Sequence, residues 1–237
     1  MQLEIVRHLA RSALQNLEAH RQRVDDLNVY PVPDGDTGTN LVLTLRSIVE
    51  ALDASTATRS DEVARDVTRA ALMGARGNSG VIFSQIVRGF VDVLGRSEEI
   101  TTPLLKRAFR GASDAAYRAV KRPVEGTMLT VVREMAEEAE RKENRKVGPS
   151  ELLVAVLERG EDALARTPEM LDVLRNAGVV DAGGAGLVEI ARGMVYGATG
   201  EAIPEVPVVG AESLGLEPPR SSHLGDTPIS GQSVQDP

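Results

Sequence analysis

Apolar residues recur along this chain at three- and four-residue spacing, the period of amphipathic helices. Leu3, Ile5, Val6, Leu9, Ala13, Leu14 and Leu17 form one apolar face over residues 2–22. Leu41, Leu45, Ile48 and Leu52 predict a second helix over about 39–52. Ser60 is expected to cap a third over about 61–73, with Glu62 in its first turn. Val81, Ile82, Gln85, Ile86, Phe90, Val93 and Leu94 mark a fourth. Thr102-Pro103 opens a fifth, reaching about 120, with proline at the first helical position. Lys121–Gly126 is a break, and Thr127 starts a sixth helix that ends in the charged run 137–146. Gly148-Pro149-Ser150 opens a seventh, interrupted near Thr167-Pro168 and resuming to about Asn176. After a loop at 178–184, an eighth runs to about Gly197. Period-2 strands are not evident. The expected fold is an all-α domain of about eight helices over residues 1–200.

After Gly200 the pattern changes. Six of the twelve prolines fall between Pro204 and Pro237, among Gly, Ser and acidic residues. Residues 201–237 are expected to be a linker or disordered tail, with a short edge strand at 203–209 a minor alternative. Such a tail is also what the front portion of a longer protein would carry.

Composition narrows the chemistry. The chain has 237 residues and no cysteine, so it has no disulfide framework, thiolate metal site or cysteine nucleophile. A net charge of −8, no tryptophan and 3% aromatic content argue against a nucleic-acid partner. No apolar run approaches the ~18 residues of a transmembrane helix, and the start Met1-Gln2-Leu3-Glu4 lacks the features of a signal peptide. A soluble cytoplasmic protein is expected. The three histidines, His8, His20 and His223, are scattered, which disfavours a multi-histidine metal site or a serine–histidine triad.

In an up-and-down helical domain alternate loops lie at the same end. The loops before helices two, four, six and eight are the unusual ones. The first is Asn28-Val29-Tyr30-Pro31-Val32-Pro33-Asp34-Gly35-Asp36-Thr37-Gly38-Thr39-Asn40. Its prolines stiffen the approach, and Asp34 and Asp36 arrive at a helix start as a close carboxylate pair. Such a pair repels unless a cation lies between. Mg²⁺ takes one or two carboxylates and leaves room for phosphates, which a helix N-terminus also attracts. A turn without ligand is the plainer alternative. A twelve-residue calcium loop is excluded, since counting from Asp34 puts Thr39 at position six and Leu45 at position twelve, where Gly and Glu are required.

The other three loops are Ala75-Arg76-Gly77-Asn78-Ser79-Gly80, Glu125-Gly126-Thr127-Met128 and Val180-Asp181-Ala182-Gly183-Gly184-Ala185-Gly186. Each joins glycine to a polar residue at a helix start. Taken singly, Ser79 and Thr127 read equally well as N-caps, the glycines near 183 as tight packing, and Arg76 as a surface residue. Together the four loops suit a nucleoside polyphosphate with Mg²⁺, with Arg76 as charge stabiliser. Neither a Walker A loop nor a strand-led Gly-x-Gly-x-x-Gly fingerprint occurs.

These motifs resemble the N-terminal kinase domain of the bacterial fatty acid kinase catalytic subunit, of the dihydroxyacetone kinase L-subunit (DhaL, or DAK2-type) family, over roughly residues 1–200. The resemblance implies a barrel of eight antiparallel helices with Mg-ATP or ADP at one end. It implies that Asp34 and Asp36 hold magnesium, with Asn28 standing where relatives often carry a third, acidic ligand. It assigns Gly38, Thr39, Asn40, Asn78, Ser79 and Gly80 to the phosphates, and Thr127, Asp181, Gly183 and Gly184 to the region of ribose and adenine. It further implies transfer of the γ-phosphoryl group to a fatty acid presented by a DegV-type acyl-binding carrier, giving acyl phosphate, and a homodimer is among the expected assemblies. An acceptor carboxylate is already ionised and needs no general base. The alternatives are an L-type subunit that keeps ADP bound as a phosphoryl carrier, and a nucleotide-binding module without catalysis.

Overall fold

Helix–helix packing closes a ring in the computed structural model, which describes residues 3–141 and 147–204. In chain order the elements are α1 (Leu3–Asp26), α2 (Thr37–Ala54), α3 (Ser60–Gly74), α4 (Gly77–Leu94), α5 (Thr102–Ala119), α6 (Met128–Arg141), α7 (Pro149–Ala165), the short α8 (Thr167–Met170) and α9 (Asp172–Ala177), and α10 (Ala182–Thr199). Each long helix packs on its sequence neighbour, and α10 packs on both α7 and α1, completing a barrel of eight long helices. Helix α10 also touches α2 and α6, which draws their starts together. The described residues contain no strand. Among them no helix is long and apolar enough to cross a membrane.

Most of the apolar positions read from the sequence pack inward, although Ile5 of the first face and Val81 of the fourth are exposed. Leu17, Leu41, Val63, Val131, Leu152, Val156 and Val188 are fully buried. The ring encloses an apolar cavity of about 700 Å³, bounded by Phe83, Phe109, Met135 and Ile190 among others. None of the predicted site residues lines it. Helices α4 and α5 approach most closely where Gly89 faces Gly111: a Cβ on Gly89 would stand 2.1 Å from the Gly111 carbonyl oxygen.

Boundaries depart from the sequence reading in a few places. Helix α1 continues to Asp26 because Val24 and Asp25 are buried rather than in a loop. Ser60 is not the cap of α3. It is the first helical residue, and its amide and hydroxyl both donate to Glu98 in the connection between α4 and α5. The break expected at Thr167-Pro168 is real and divides the seventh predicted helix into α7, α8 and α9. The charged run beyond Arg141, most of the possible edge strand and the tail from 205 onward lie outside the described residues.

Candidate functional site

The end of the barrel carrying the starts of α2, α4, α6 and α10 is built from the first loop outward. The Tyr30–Pro31 peptide is cis, and the loop leads Asp34 and Asp36 to the first turn of α2. Burial pushes the Asp36 carboxyl above the usual carboxylate range, and the neighbouring Asp34 carboxylate adds to the rise. Asn40 opposes it. Asn28 is buried and donates to Asp34 Oδ1 at 2.7 Å, so the three residues expected around the metal stand together. Among the described residues no group of three His, Cys, Asp or Glu is arranged to hold a metal ion by itself. Two carboxylates and an amide form an open, oxygen-rich set, the kind Mg²⁺ shares with phosphate and water.

Asp25 also belongs here, and the sequence reading passed over it. It is buried near the end of α1 and accepts from the Thr39 amide on Oδ1 at 2.9 Å and from the Thr39 hydroxyl on Oδ2 at 2.8 Å, and Arg21 donates to that same Oδ2 at 3.1 Å. Helix α2 has no side-chain cap from Asp36, so α1 supplies one from outside. A signal existed: acidic residues at a helix C-terminus oppose the dipole, and a paired Asp25-Asp26 there calls for a partner.

The second loop joins the first. Gly77 takes a positive φ of 57° at the start of α4, and a Cβ there would meet the Asn40 side-chain nitrogen at 2.3 Å. That nitrogen is buried, faces Asp36 closely enough to lower its proton affinity, and completes no hydrogen bond. Thr37 and Ser79 hydroxyls lie 3.3 Å apart across the two helix starts. The helix itself leaves the amides of Gly77, Asn78 and Ser79 free. Ser79 is not the N-cap of α4; Arg76 occupies that position and caps with no side-chain bond. Arg76 is not gathered with the others: its guanidinium folds back onto the carbonyls of Met73 and Ala75, at 3.3 and 3.0 Å.

Loops three and four meet each other. Asp181 caps α10, accepting from the Gly184 amide at 2.7 Å, and the Met128 amide donates to it as well. It is almost fully buried, which pushes its carboxyl up to about 6. Gly183 lies against the Met128 side chain. Thr127 turns its hydroxyl to the Val124 carbonyl at 2.8 Å. Glu125 fixes this loop by accepting from Tyr117 at 2.7 Å, Thr130 at 2.5 Å and Arg133 at 3.2 Å. Burial, and then the donation to Glu125, pushes the Tyr117 hydroxyl up to about 12. The helix break at Thr167 also has a purpose here: the Asp181 amide donates to the Thr167 hydroxyl at 3.1 Å.

Comparisons with known proteins were drawn against this geometry. Residues 31–196 match the family model described as the DAK2 domain. An uncharacterized protein of Staphylococcus saprophyticus is 44% identical over 201 residues, which cover 84% of this chain and 36% of that protein. An uncharacterized protein of Staphylococcus aureus is 42% identical over 189 residues, covering 80% and 34%. The chain therefore spans about a third of the length of the curated relatives it matches. Among solved structures, the dihydroxyacetone kinase from C. freundii in complex with AMP-PNP and Mg²⁺ aligns with a TM-score of 0.60 at 16% identity, over 81% of this chain and 34% of that one. Its native form aligns with a TM-score of 0.61 at 15% identity. At such identities the likeness concerns the fold, an all-helical barrel in both.

Proposed function

Because the chain belongs to the DAK2 domain family, we propose that it binds a magnesium-bound nucleoside polyphosphate at the four-loop end and serves phosphoryl transfer as an L-type domain, holding the nucleotide while another protein supplies the acceptor. The observation that carries this reading is the Asn40 amide nitrogen, buried beside the Asp36 carboxylate and the glycine start of α4 without completing a well-formed hydrogen bond. A bound phosphate oxygen gives that donor an acceptor. Asp34, Asp36 and Asn28 would hold the metal, and the free amides at Gly77–Ser79 would face the phosphates. When bound, magnesium neutralises phosphate charge, the main requirement of phosphoryl transfer. The structure of the C. freundii kinase with AMP-PNP and Mg²⁺ supports this choice of ligand class.

Calorimetric titration of ATP and ADP, with and without Mg²⁺, into the chain and its Asp36→Ala variant tests the reading. Binding that requires both magnesium and Asp36 is the expected result. Absence of binding in every condition, after a denatured extract has been checked for retained nucleotide, overturns it. Retained ADP supports the L-type role directly.

A second reading names the acceptor as a fatty acid on a DegV-type carrier. What favours it is the chemistry of the described loops: none holds a histidine, and a carboxylate acceptor needs no base to deprotonate it. The test is to mix the chain with ATP and acyl-loaded carrier and trap acyl phosphate with hydroxylamine. Acyl hydroxamate supports this acceptor. A protein that binds Mg-nucleotide but yields none leaves only the nucleotide-holding role.

A further inference from the structure

The end of α1 lies against the start of α2, and a cation stands at that contact. Gly38, in the first turn of α2, faces the last turns of α1: a Cβ on it would come within 2.4 Å of the Arg21 carbonyl oxygen and 3.1 Å of Asp25 Oδ1. The bare glycine is what lets the two helices approach so closely here. Arg21 reaches over the junction, and its Nη1 donates to Asp25 Oδ2 and to the Thr39 hydroxyl, both at 3.1 Å. The carboxylate pair belongs to the same neighbourhood. The Asp25 charge is felt at Asp36, the N-cap residue of α2, where it adds to the raised proton affinity.

These bonds leave Thr39 without a donor for an anion. Its amide donates to Asp25 Oδ1, its hydroxyl donates to Asp25 Oδ2, and the hydroxyl oxygen accepts from Arg21. Arg21 is the opposite case. Only Nη1 is engaged; Nε and Nη2 have no hydrogen-bond partner among the described residues, and the side chain is 44% exposed. Nε and Nη2 carry the parallel N–H bonds of one edge of the guanidinium fork, which matches phosphate oxygens. Charge also calls for a cation at this point. Asp25, Asp34 and Asp36 surround the helix start, a polyphosphate adds further negative charge, and a metal ion offsets part of the sum. Arg76, expected to offset the rest, is turned onto the carbonyls of Met73 and Ala75.

We propose that Arg21 is the phosphate-binding arginine of this site. Its Nε and Nη2 edge takes non-bridging oxygens of the bound nucleotide's phosphate chain, while Asp25 and Thr39 hold Nη1. This assignment rests on the magnesium-nucleotide reading above and adds a residue to it. Asp25 and Thr39 are then positioning residues: they fix the guanidinium before the ligand arrives, so less side-chain freedom is lost on binding.

Calorimetric titration of Mg-ADP and Mg-ATP at low and high salt, into the full chain and its Arg21→Gln, Arg21→Lys and Arg23→Gln variants, tests this. Arg23 is an exposed arginine on the same helix and controls for the loss of a charge alone. Arg21→Gln should weaken both nucleotides at least tenfold at low salt and much less at high salt, because the contact it removes is ionic and screened. Arg21→Lys keeps the charge without the fork and should recover only part of the loss; it also carries the test if the glutamine variant fails to fold. Arg23→Gln should bind as the parent does. Undiminished affinity in Arg21→Gln, or full recovery in Arg21→Lys, overturns the assignment. So does a loss of the same size at every salt concentration, which would make Arg21 only a prop between α1 and α2, or an equal loss in Arg23→Gln, which would make it a general field effect. A parent that binds neither nucleotide overturns the magnesium-nucleotide reading itself, and this assignment with it.

Discussion

The side-chain nitrogen of Asn40 stands 2.3 Å from where a Cβ on Gly77 would be. One residue is thereby barred from growing so that the other can aim an unpartnered donor between two helix starts. Gly77 also holds a positive φ of 57°, which side chains with a Cβ rarely take. Gly77→Ala is expected to cost about 1–3 kcal/mol of stability, from backbone strain together with the displaced amide. Nucleotide affinity should fall by at least tenfold. Urea unfolding and calorimetry on the same preparation check the two parts. An alanine variant that binds Mg-nucleotide as the parent does would separate Asn40 from the phosphate site.

The carboxylate pair gives the next expectation. Asp36 is pushed up in the free protein, first by burial and further by Asp34. Asp36→Asn removes one of two repelling charges and should leave the free protein as stable as the parent or slightly more so, by less than about 1 kcal/mol. The ligand response should be lost. At a hundredfold excess over its dissociation constant, Mg-nucleotide stabilises its host by about 2.7 kcal/mol, which for a chain of this size raises Tm by roughly 5–10 °C. Differential scanning fluorimetry should show that rise in the parent and none in Asp36→Asn. An equal rise in both would remove Asp36 from the metal site.

Much of this was legible in the sequence because the helices are amphipathic and their starts carry glycine with a polar partner. The period of Leu41, Leu45, Ile48 and Leu52 made α2 readable, and those four are buried. Alternation of loops in an up-and-down bundle was enough to set the four loops at one end, where the structure brings Asn40 to Gly77 and Asp181 to Met128. The individual partner each polar side chain chooses was not readable. Asp25 looks like a charged residue on a helix end until α2 is laid against it. Arg76 has the right type and position for charge stabilisation, yet its guanidinium is satisfied by two local carbonyls. Ser60 has the chemistry of a cap, but Glu98 holds it one residue inside the helix. Local chemistry is decided by sequence neighbours only where no stronger partner arrives from across the fold.

Asp181 sets a pH dependence. Burial raises its carboxyl in the folded protein to about 6, against 3.8 for an ordinary aspartate. A raised carboxylate binds its proton more tightly folded than unfolded. Its contribution is therefore complete below about 4 and is lost as pH rises through about 6, on the order of 3 kcal/mol at most. Asp181→Asn cannot titrate but can still accept from the Gly184 amide as an N-cap. The stability of the parent relative to Asp181→Asn should fall between pH 4.5 and 7, as followed by urea unfolding. Subtracting the variant removes the background of the other carboxylates. A difference that stays flat across that window would mean Asp181 is not held protonated by its burial.

Asp25 and Thr39 are expected to act as one unit. Asp25 caps α2 from the neighbouring helix through both the amide and the hydroxyl of Thr39. Asp25→Ala leaves the amide without its acceptor and should cost about 1–2 kcal/mol, the range of a lost N-cap. Asp25→Asn keeps an acceptor for the amide and should recover most of that. Thr39→Val removes the hydroxyl alone. If the hydroxyl bond depends on Asp25, the double variant loses less than the sum of the two single losses, with a coupling of roughly 1 kcal/mol. Urea unfolding of the four proteins in the cycle measures it. Strict additivity would show that Asp25 supports α2 through the amide alone, and that the Thr39 hydroxyl is free to turn toward a bound phosphate.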